Sequence, residues 1–595
     1  MSKSRIQMII IICLIFAFIA IAVFFATDKK VEAEFGNYEN KYDKPVEVIS
    51  EKNADGTYKL DFPNKWKYDQ DNDIYYQIGI VYCAKPESID YQCMSIYVPG
   101  KYLNATPNEG GTYTCVQNPN EHIGQYTVST APIVMPLNAS GFGAQKSTIF
   151  YESSGLKEYM DAGLIYVYAG CRGLNGSDSS IDGTAPWGAT DIKAAIRYLK
   201  YNESMIPGNE DRIFMLGAGE GGGLSTIVAA SGNSNFYTPY LEHIGAAIHD
   251  RNGRSISDGV YGCICWSPTI TSGMNNAAYE WNLGQYVDTN TREESSFTKA
   301  LSDDLSKEYA NYINGLNLRD DNRRLLRLEE SEDGIYTQGT YYQYVKAYIE
   351  NSLNTFITKS NFPIVIDNVS SSADVFPGSN NRGAGVPSSK KKRYDSVKEY
   401  IDEVNKTTKW VIYDEGAGRA TITSIKDFVN SRQKVTKDVC AYDGLTRNQI
   451  SNKLFSIKKS KNLHYDDVIS DLLKNNIATY SKLKRWNKTY PNDYASDLQI
   501  MDEMNNSVSK RVRMYDPMVY LLGEEDSNIA SCWRINFGMN QTNIPSVVEI
   551  NMYLALKSNN LKRVDYTSVW EQESLMTELD GEAIHNCIEW IASSL

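Results

Sequence analysis

The stretch of this 595-residue chain that carries the most chemical information lies between positions 212 and 230. Arg212 to Leu216 reads as a buried strand and Leu224 to Ala230 as a helix. Gly217-Ala218-Gly219-Glu220-Gly221-Gly222-Gly223 runs between them. A strand that ends in a glycine-rich turn and opens a helix serves three chemistries. One cradles a dinucleotide on G-x-G-x-x-G. Gly217 to Gly222 match that pattern literally, but no acidic partner ends the next strand convincingly. A phosphate loop needs a closing Lys-Ser/Thr, which is absent. The third is the nucleophile elbow G-x-S-x-G, a strained turn that lifts a serine hydroxyl above the sheet. In that frame Gly219 stands where the nucleophile belongs.

Other segments make the third frame specific. Tyr166–Gly173 (YVYAGCRG), Ala185–Gly188 (APWG), Asp211–Phe214 (DRIF), Tyr237–Leu241 (YTPYL) and Ala278–Asn282 (AYEWN) resemble stretches of bacterial tannase and feruloyl-esterase-type α/β-hydrolases. The likeness runs from about Tyr75 to Trp590. It implies an elbow of the form G-x-S-x-G-G, an acid in a segment like W-R-I-R-x-G-x-x-Q-G-D-T and a base in a segment like V-W-G-Q-G-H. Here Trp533–Asn543 (WRINFGMNQTN) puts Asn543 in the acid's place, and Val569–Ser574 (VWEQES) puts Ser574 in the base's place. The order nucleophile, acid, base along the chain suits an α/β-hydrolase.

Acyl transfer needs an oxygen nucleophile whose proton passes to an imidazole held by a carboxylate. Gly219 offers no atom for an acyl-enzyme, Ser574 is no base near neutral pH, and Asn543 carries no charge to steady an imidazolium. Losing such a triad costs about 10⁶ in turnover. The Glu220 N–H would still contribute to an oxyanion hole, worth roughly 10³–10⁴ over water. Glu220 is the candidate rescue residue, as a carboxylate nucleophile or base, and it equally adds charge and bulk to the pocket mouth. Only five histidines exist. His243, His249 and His585 read as structural or surface residues, Ser225 as helix packing and Ser267 as a turn at a strand end. Three functional readings follow. One is a pseudoenzyme that binds a ligand or partner. Another is a carboxylic ester hydrolase using displaced residues. The third is a purely structural membrane protein, with no enclosed pocket beneath the cap.

The elements that must position these residues alternate between strand and helix. Met94–Val98, Ala131–Leu137, Gly163–Ala169, Tyr261–Trp266, Ala530–Phe537 and Val564–Trp570 read as strands. Asp191–Lys200, Val547–Leu556 and Ala583–Ala592 read as helices. The expected class is α/β, a mostly parallel sheet with helices on both faces. The core is expected to span 31–286 and 515–595, interrupted by a mainly helical cap at 287–514. Within the cap, Lys390 to Arg393 read as a solvated loop. The cap tyrosines Tyr336, Tyr341, Tyr342, Tyr344 and Tyr348 suit packing and, secondarily, stacking on sugars or phenolic rings.

The apolar run Met8 to Ala26 is long enough to span a bilayer, flanked by Lys3, Arg5, Lys29 and Lys30. It reads as an anchor over residues 1–30, with a cleaved signal peptide as the alternative and Ala20-Ile21-Ala22 as its cut site. Either way the body is expected outside the cytoplasm. A net charge of −13 argues against nucleic acid as a partner. The ten cysteines show no metal-binding spacing. Cys83, Cys93 and Cys115 are the candidates for a disulfide in an exported body. No cofactor or metal is expected. The expected partners are the membrane and an aromatic-ester or glycan ligand.

Overall fold

A nine-stranded sheet carries the molecule. The computed structural model describes residues 45–174, 176, 180–367, 375–378, 391–433, 435–458, 462–541, 544–572 and 576–595. The strands are β1 (Lys67–Asp69), β2 (Ile74–Val81), β3 (Cys93–Pro99), β4 (Ile133–Leu137), β5 (Ile165–Ala169), β6 (Ile213–Ala218), β7 (Gly262–Trp266), β8 (Cys532–Gly538) and β9 (Arg563–Val569). Their spatial order is β1-β2-β3-β5-β4-β6-β7-β8-β9. From β5 to β9 every neighbour is parallel. β1 to β3 and the β3–β5 junction are antiparallel. The sheet is therefore mixed rather than uniformly parallel. A tight hairpin joins β1 to β2, with the Asp69 carboxylate accepting the N–H groups of Asp71 and Asn72. Such a short connection permits only antiparallel pairing.

The parallel strands β4 to β7 are buried almost throughout, as strands covered on both faces must be. Seven helices matter for the site: α1 (Trp187–Tyr201), α2 (Gly219–Ala230), α3 (Asn275–Asn282), α4 (Phe297–Leu316), α5 (Thr340–Lys359), α6 (Val547–Ser558) and α7 (Ala583–Ser594). The expected strands and helices of the core all form, with ends shifted by a few residues. Residues 48–595 make one compact body.

Two of the sequence stretches quoted above meet at a buried ion pair. Arg172, just past β5, donates from Nε and Nη2 to the Asp191 carboxylate on α1 at 2.9 and 2.8 Å. Its guanidinium stacks over the Trp187 ring, 4.2 Å from the centroid. Neither Arg172 nor Asp191 reaches solvent by more than a trace. A buried pair of this kind is justified by complete hydrogen bonding. Asp191 is so satisfied, taking the Arg172 N–H and the Gln92 amide as well.

Residues 287–514 contain α4, α5, further short helices and two hairpins. The loop expected at Lys390–Arg393 is corrected in part. Lys391–Tyr394 form a strand paired antiparallel with Ile364–Asp367. The basic side chains stay exposed, and Tyr394 is buried against Tyr400 with ring centroids 5.2 Å apart. Backbone pairing anchored by one aromatic tolerates a charged outer face. The cap tyrosines are mainly structural. Tyr341 hydroxyl bonds Asn551 on α6, and Tyr348 packs on Tyr566 of β9. The nine described cysteines are free and buried. The expected membrane span, Met8–Ala26, lies outside the described residues. Among the described residues no helix is long and apolar enough to cross a membrane.

Candidate active site

The elbow has the backbone that a nucleophile turn requires. β6 ends at Ala218 and α2 begins at once, with Gly219 at φ +56°. The flanking glycines are sterically obligatory. A Cβ on Gly217 would lie 2.4 Å from the Gly221 carbonyl oxygen, and one on Gly221 would lie 2.2 Å from the Leu137 oxygen. A Cβ on Gly223 would meet the Thr269 oxygen at 2.1 Å. The first turn of α2 is thus pressed between the ends of β4 and β7. Thr269 N–H donates to the Gly219 carbonyl at 2.8 Å and closes the turn. Gly219 itself differs from its neighbours. A Cβ built there meets no atom within 4 Å, so a side chain would project into open space. The glycine is demanded by nothing around it; only its left-handed φ favours the residue type.

The parallel register brings the other two segments to the same edge. Ala218, Trp266, Asn536 and Thr567 lie in one row across β6, β7, β8 and β9. Gly219 is the next residue after that row on its strand, and Asn543 and Ser574 each follow it by seven residues. Both lie outside the described residues. Their loops set out side by side. Met539 N–H donates to Val569 O and Asn540 N–H to Gln572 O, each at 2.9 Å. The second loop is fastened to the cap. Glu571 accepts from Tyr400, Arg432 and the Asn540 amide, and Trp570 Nε1 donates to the Tyr400 hydroxyl at 2.6 Å.

One cation of the cap, Lys437, is close enough to Glu220 to feel its charge. Lys437 is half-buried, with its ammonium 4.5 Å from the centre of the Tyr442 ring. Burial pushes it below the usual lysine range, and the nearby Glu220 carboxylate works in the opposite direction. The main chain at this point is pinned to α3. Arg292 donates from Nη1 to the Lys437 carbonyl at 3.0 Å and pairs, fully buried, with Glu280 of α3. Asn276 of α3 accepts the Tyr442 N–H at 2.9 Å. Lys437 was not singled out in the sequence, and no motif there marks it. Gly219 and Glu220 are likewise half-buried.

Beyond this, α6 carries Glu549, fully buried with neither carboxyl oxygen hydrogen-bonded. Burial pushes its acid well above the usual carboxylate range, favouring the neutral carboxyl.

The histidines do not gather at the elbow. His243, His249 and His585 are exposed. His464 is buried in the cap, bonded through Nδ1 to Asp443 at 2.7 Å and stacked on Tyr494. Ser225 donates back to the Gly221 carbonyl at 2.9 Å, and Ser267 accepts the Gly538 N–H at 3.1 Å. Both hydroxyls are buried and occupied by the backbone. No cluster of three or more metal-ligating side chains occurs among the described residues. An open cleft of about 730 Å³ lined by Glu87, Arg172, His243, Lys458 and Glu503 includes none of Gly219, Glu220 or Lys437.

No family model matches the sequence, and no curated protein matches it significantly. Solved structures do. A tannase from Fusobacterium nucleatum superimposes with a TM-score of 0.64 at 22% identity, covering 90% of this chain and 99% of that one. A tannase from Lactobacillus plantarum gives 0.61 at 20%, covering 90% and 99%. Tannin acyl hydrolase structures bound to ethyl gallate and to 3,4-dihydroxybenzoate give 0.61 at 20%, covering 87% and 94%. Over nearly its whole described length, this chain has the α/β fold of the tannases.

Proposed function

We propose that this is a membrane-anchored, exported tannase-fold protein that binds an aromatic-ester or glycan-like ligand without hydrolysing it. One observation carries the reading. The elbow backbone keeps its strained turn, its obligatory flanking glycines and its open apex, and the apex residue is Gly219. A fold that kept the chemistry would need an oxygen at its summit. Asn543 and Ser574, in the acid and base places, complete the loss. The relatives bound to ethyl gallate and 3,4-dihydroxybenzoate support an aromatic ligand class.

The test uses the full-length chain in detergent. Methyl gallate, methyl ferulate and short p-nitrophenyl esters are expected to remain unhydrolysed, while calorimetry detects binding of methyl gallate. Turnover that disappears in Glu220→Gln would overturn the proposal. It would establish the second reading, an ester hydrolase of unusual constellation, which the half-buried Glu220 at the elbow and its charge interaction with Lys437 favour. The anchor is tested separately. The chain should resist alkaline extraction from membranes, and its body should be cut by protease added outside intact cells.

A further inference from the structure

We propose that the sheet edge beside the elbow is a peptide-binding slot, filled by the chain's own Val375–Gly378 as a displaceable strap, and that a partner presenting an extended segment with Phe-Pro-Gly takes the strap's place. The inference goes beyond the ligand of the elbow and holds whatever that ligand is.

The slot is built from the core. Asn138 directly follows β4, and its side chain grips three main-chain groups at once. Its Oδ1 accepts the Val375 and Phe376 N–H groups at 3.1 and 3.2 Å, and its Nδ2 donates to the Phe376 carbonyl at 3.1 Å. Tyr166 of β5 donates to the Pro377 carbonyl at 2.7 Å, and Thr148 donates to the Gly378 carbonyl at 3.1 Å. Asn138 is itself set in place. Its N–H donates to Gln145 Oε1 at 2.6 Å, and the Gln145 amide donates to the Pro136 and Ala169 carbonyls. Main-chain bonds of this kind give a peptide site its affinity, and pockets for side chains give its specificity.

The pockets select a sequence. Phe376 is buried against Trp266, with ring centroids 6.1 Å apart. Pro377 has no N–H to leave unpaired at its buried position, and it packs on Gly155, where a Cβ would come within 2.8 Å of its ring. Gly378 stands at φ +101°, and a Cβ on it would lie 2.7 Å from the Tyr168 ring, so glycine is required there. Trp266 pairs across the sheet with Ala218, and Leu137 pairs with Gly217. The strap therefore crosses the end of β6, the strand that carries the elbow.

Two features make the strap separable. Each of the five bonds named comes from a neutral side chain, whereas the fastening at Glu571 uses an ion pair. Neutral hydrogen bonds are roughly half as strong as charge-assisted ones. The chain also leaves for the slot and returns from it at one hairpin, where Asp367 pairs with Lys391. The four residues can lift out without unpairing a strand.

The test follows hydrogen exchange in the unaltered full-length chain, in detergent, with added acetyl-DVFPGS-amide. The Val375 and Phe376 amides should be protected without peptide, yet exchange long before the amides of β6. At about 1 mM, the effective concentration of a tethered segment, the peptide should displace about half of the straps and speed exchange of those two amides at least about tenfold. Peptides with alanine for the phenylalanine, or alanine for the glycine, should leave the rates unchanged. In Asn138→Ala the strap amides should exchange rapidly with no peptide present. Strap amides unmoved by acetyl-DVFPGS-amide at ten times that concentration overturn the inference, as does equal acceleration by the alanine peptides. Amides that lack protection from the outset, or that exchange only when β6 melts, overturn it too. The decisive measurement is on the unaltered chain, so an Asn138→Ala variant that fails to fold does not blunt it.

Discussion

Gly219→Ser tests the elbow directly. The structure sets two terms for its effect on stability. The steric term is nil, because a Cβ there meets no atom within 4 Å. The conformational term is the cost of a non-glycine residue at φ +56°, about 1–2 kcal/mol. The variant should therefore fold, with its unfolding free energy lowered by that amount, its denaturant midpoint lowered by that amount divided by m, and its m-value unchanged. Its hydrolysis of p-nitrophenyl acetate should stay at the level of the parent chain, because a serine without a base is a poor nucleophile. Adding Asn543→Asp and Ser574→His to Gly219→Ser should then raise turnover by a part of the roughly 10⁶ that a complete triad is worth. Any pair among the three should fall far short of the full set, since triad members act as a unit. A clear gain from Gly219→Ser alone would refute the reasoning, for it would mean that a base already faces the elbow. Repeating the assay in Gly219→Ser with Lys437→Met would show whether that base is the cap lysine.

Further outcomes are expected elsewhere. Gly221→Ala should disrupt the elbow far more than Gly219→Ser, because its Cβ would lie 2.2 Å from a main-chain oxygen; a denaturation midpoint close to that of the parent chain would contradict the packing described. Asp191→Asn removes one of the two carboxylates paired with the buried Arg172 guanidinium, leaving Glu87 at 2.8 Å, and should cost about 1–3 kcal/mol by chemical denaturation. Burial holds the Glu549 acid well above the ordinary carboxylate range in the folded chain but not in the unfolded one, so it destabilises the fold increasingly as pH rises above that range. Glu549→Gln should thus match the parent chain near pH 4 and gain on it above that, by up to about 1.4 kcal/mol per pH unit while the acid holds its proton. Parallel stability curves for the two chains would refute that assignment.

Much of the core was legible from residue order alone. β4 to β9 announced themselves as short apolar runs, and α1 and α6 as helices between them. The elbow was visible because steric demand leaves a mark in composition. Gly217, Gly221 and Gly223 are required by carbonyls closer than any side chain allows, so the glycine cluster survives even where the hydroxyl does not. Lys437 left no such mark. Its segment is held in place because Arg292 and Asn276, far from it in sequence, hang it on α3, and long-range anchoring of that kind has no local period. The strand at Lys391–Tyr394 was missed for a related reason. Its side chains are charged outward, and its pairing depends on the backbone and one buried tyrosine. The N-terminal hairpin was hidden because β1 is only three residues long.

The fastening of Glu571 to Tyr400 and Arg432 bears on how anything enters or leaves. A lid that swings free must break few and weak bonds at its rim. Here the rim that borders the tail of the sheet is riveted by the Glu571 carboxylate, whose partners Tyr400 and Arg432 come from two separate helices, Val397–Val404 and Ile425–Arg432. Lifting that side would separate the Glu571–Arg432 ion pair and part the Trp570 ring from Trp410 and Phe428. Opening along that flank is therefore opposed by a charge pair as well as by apolar contact.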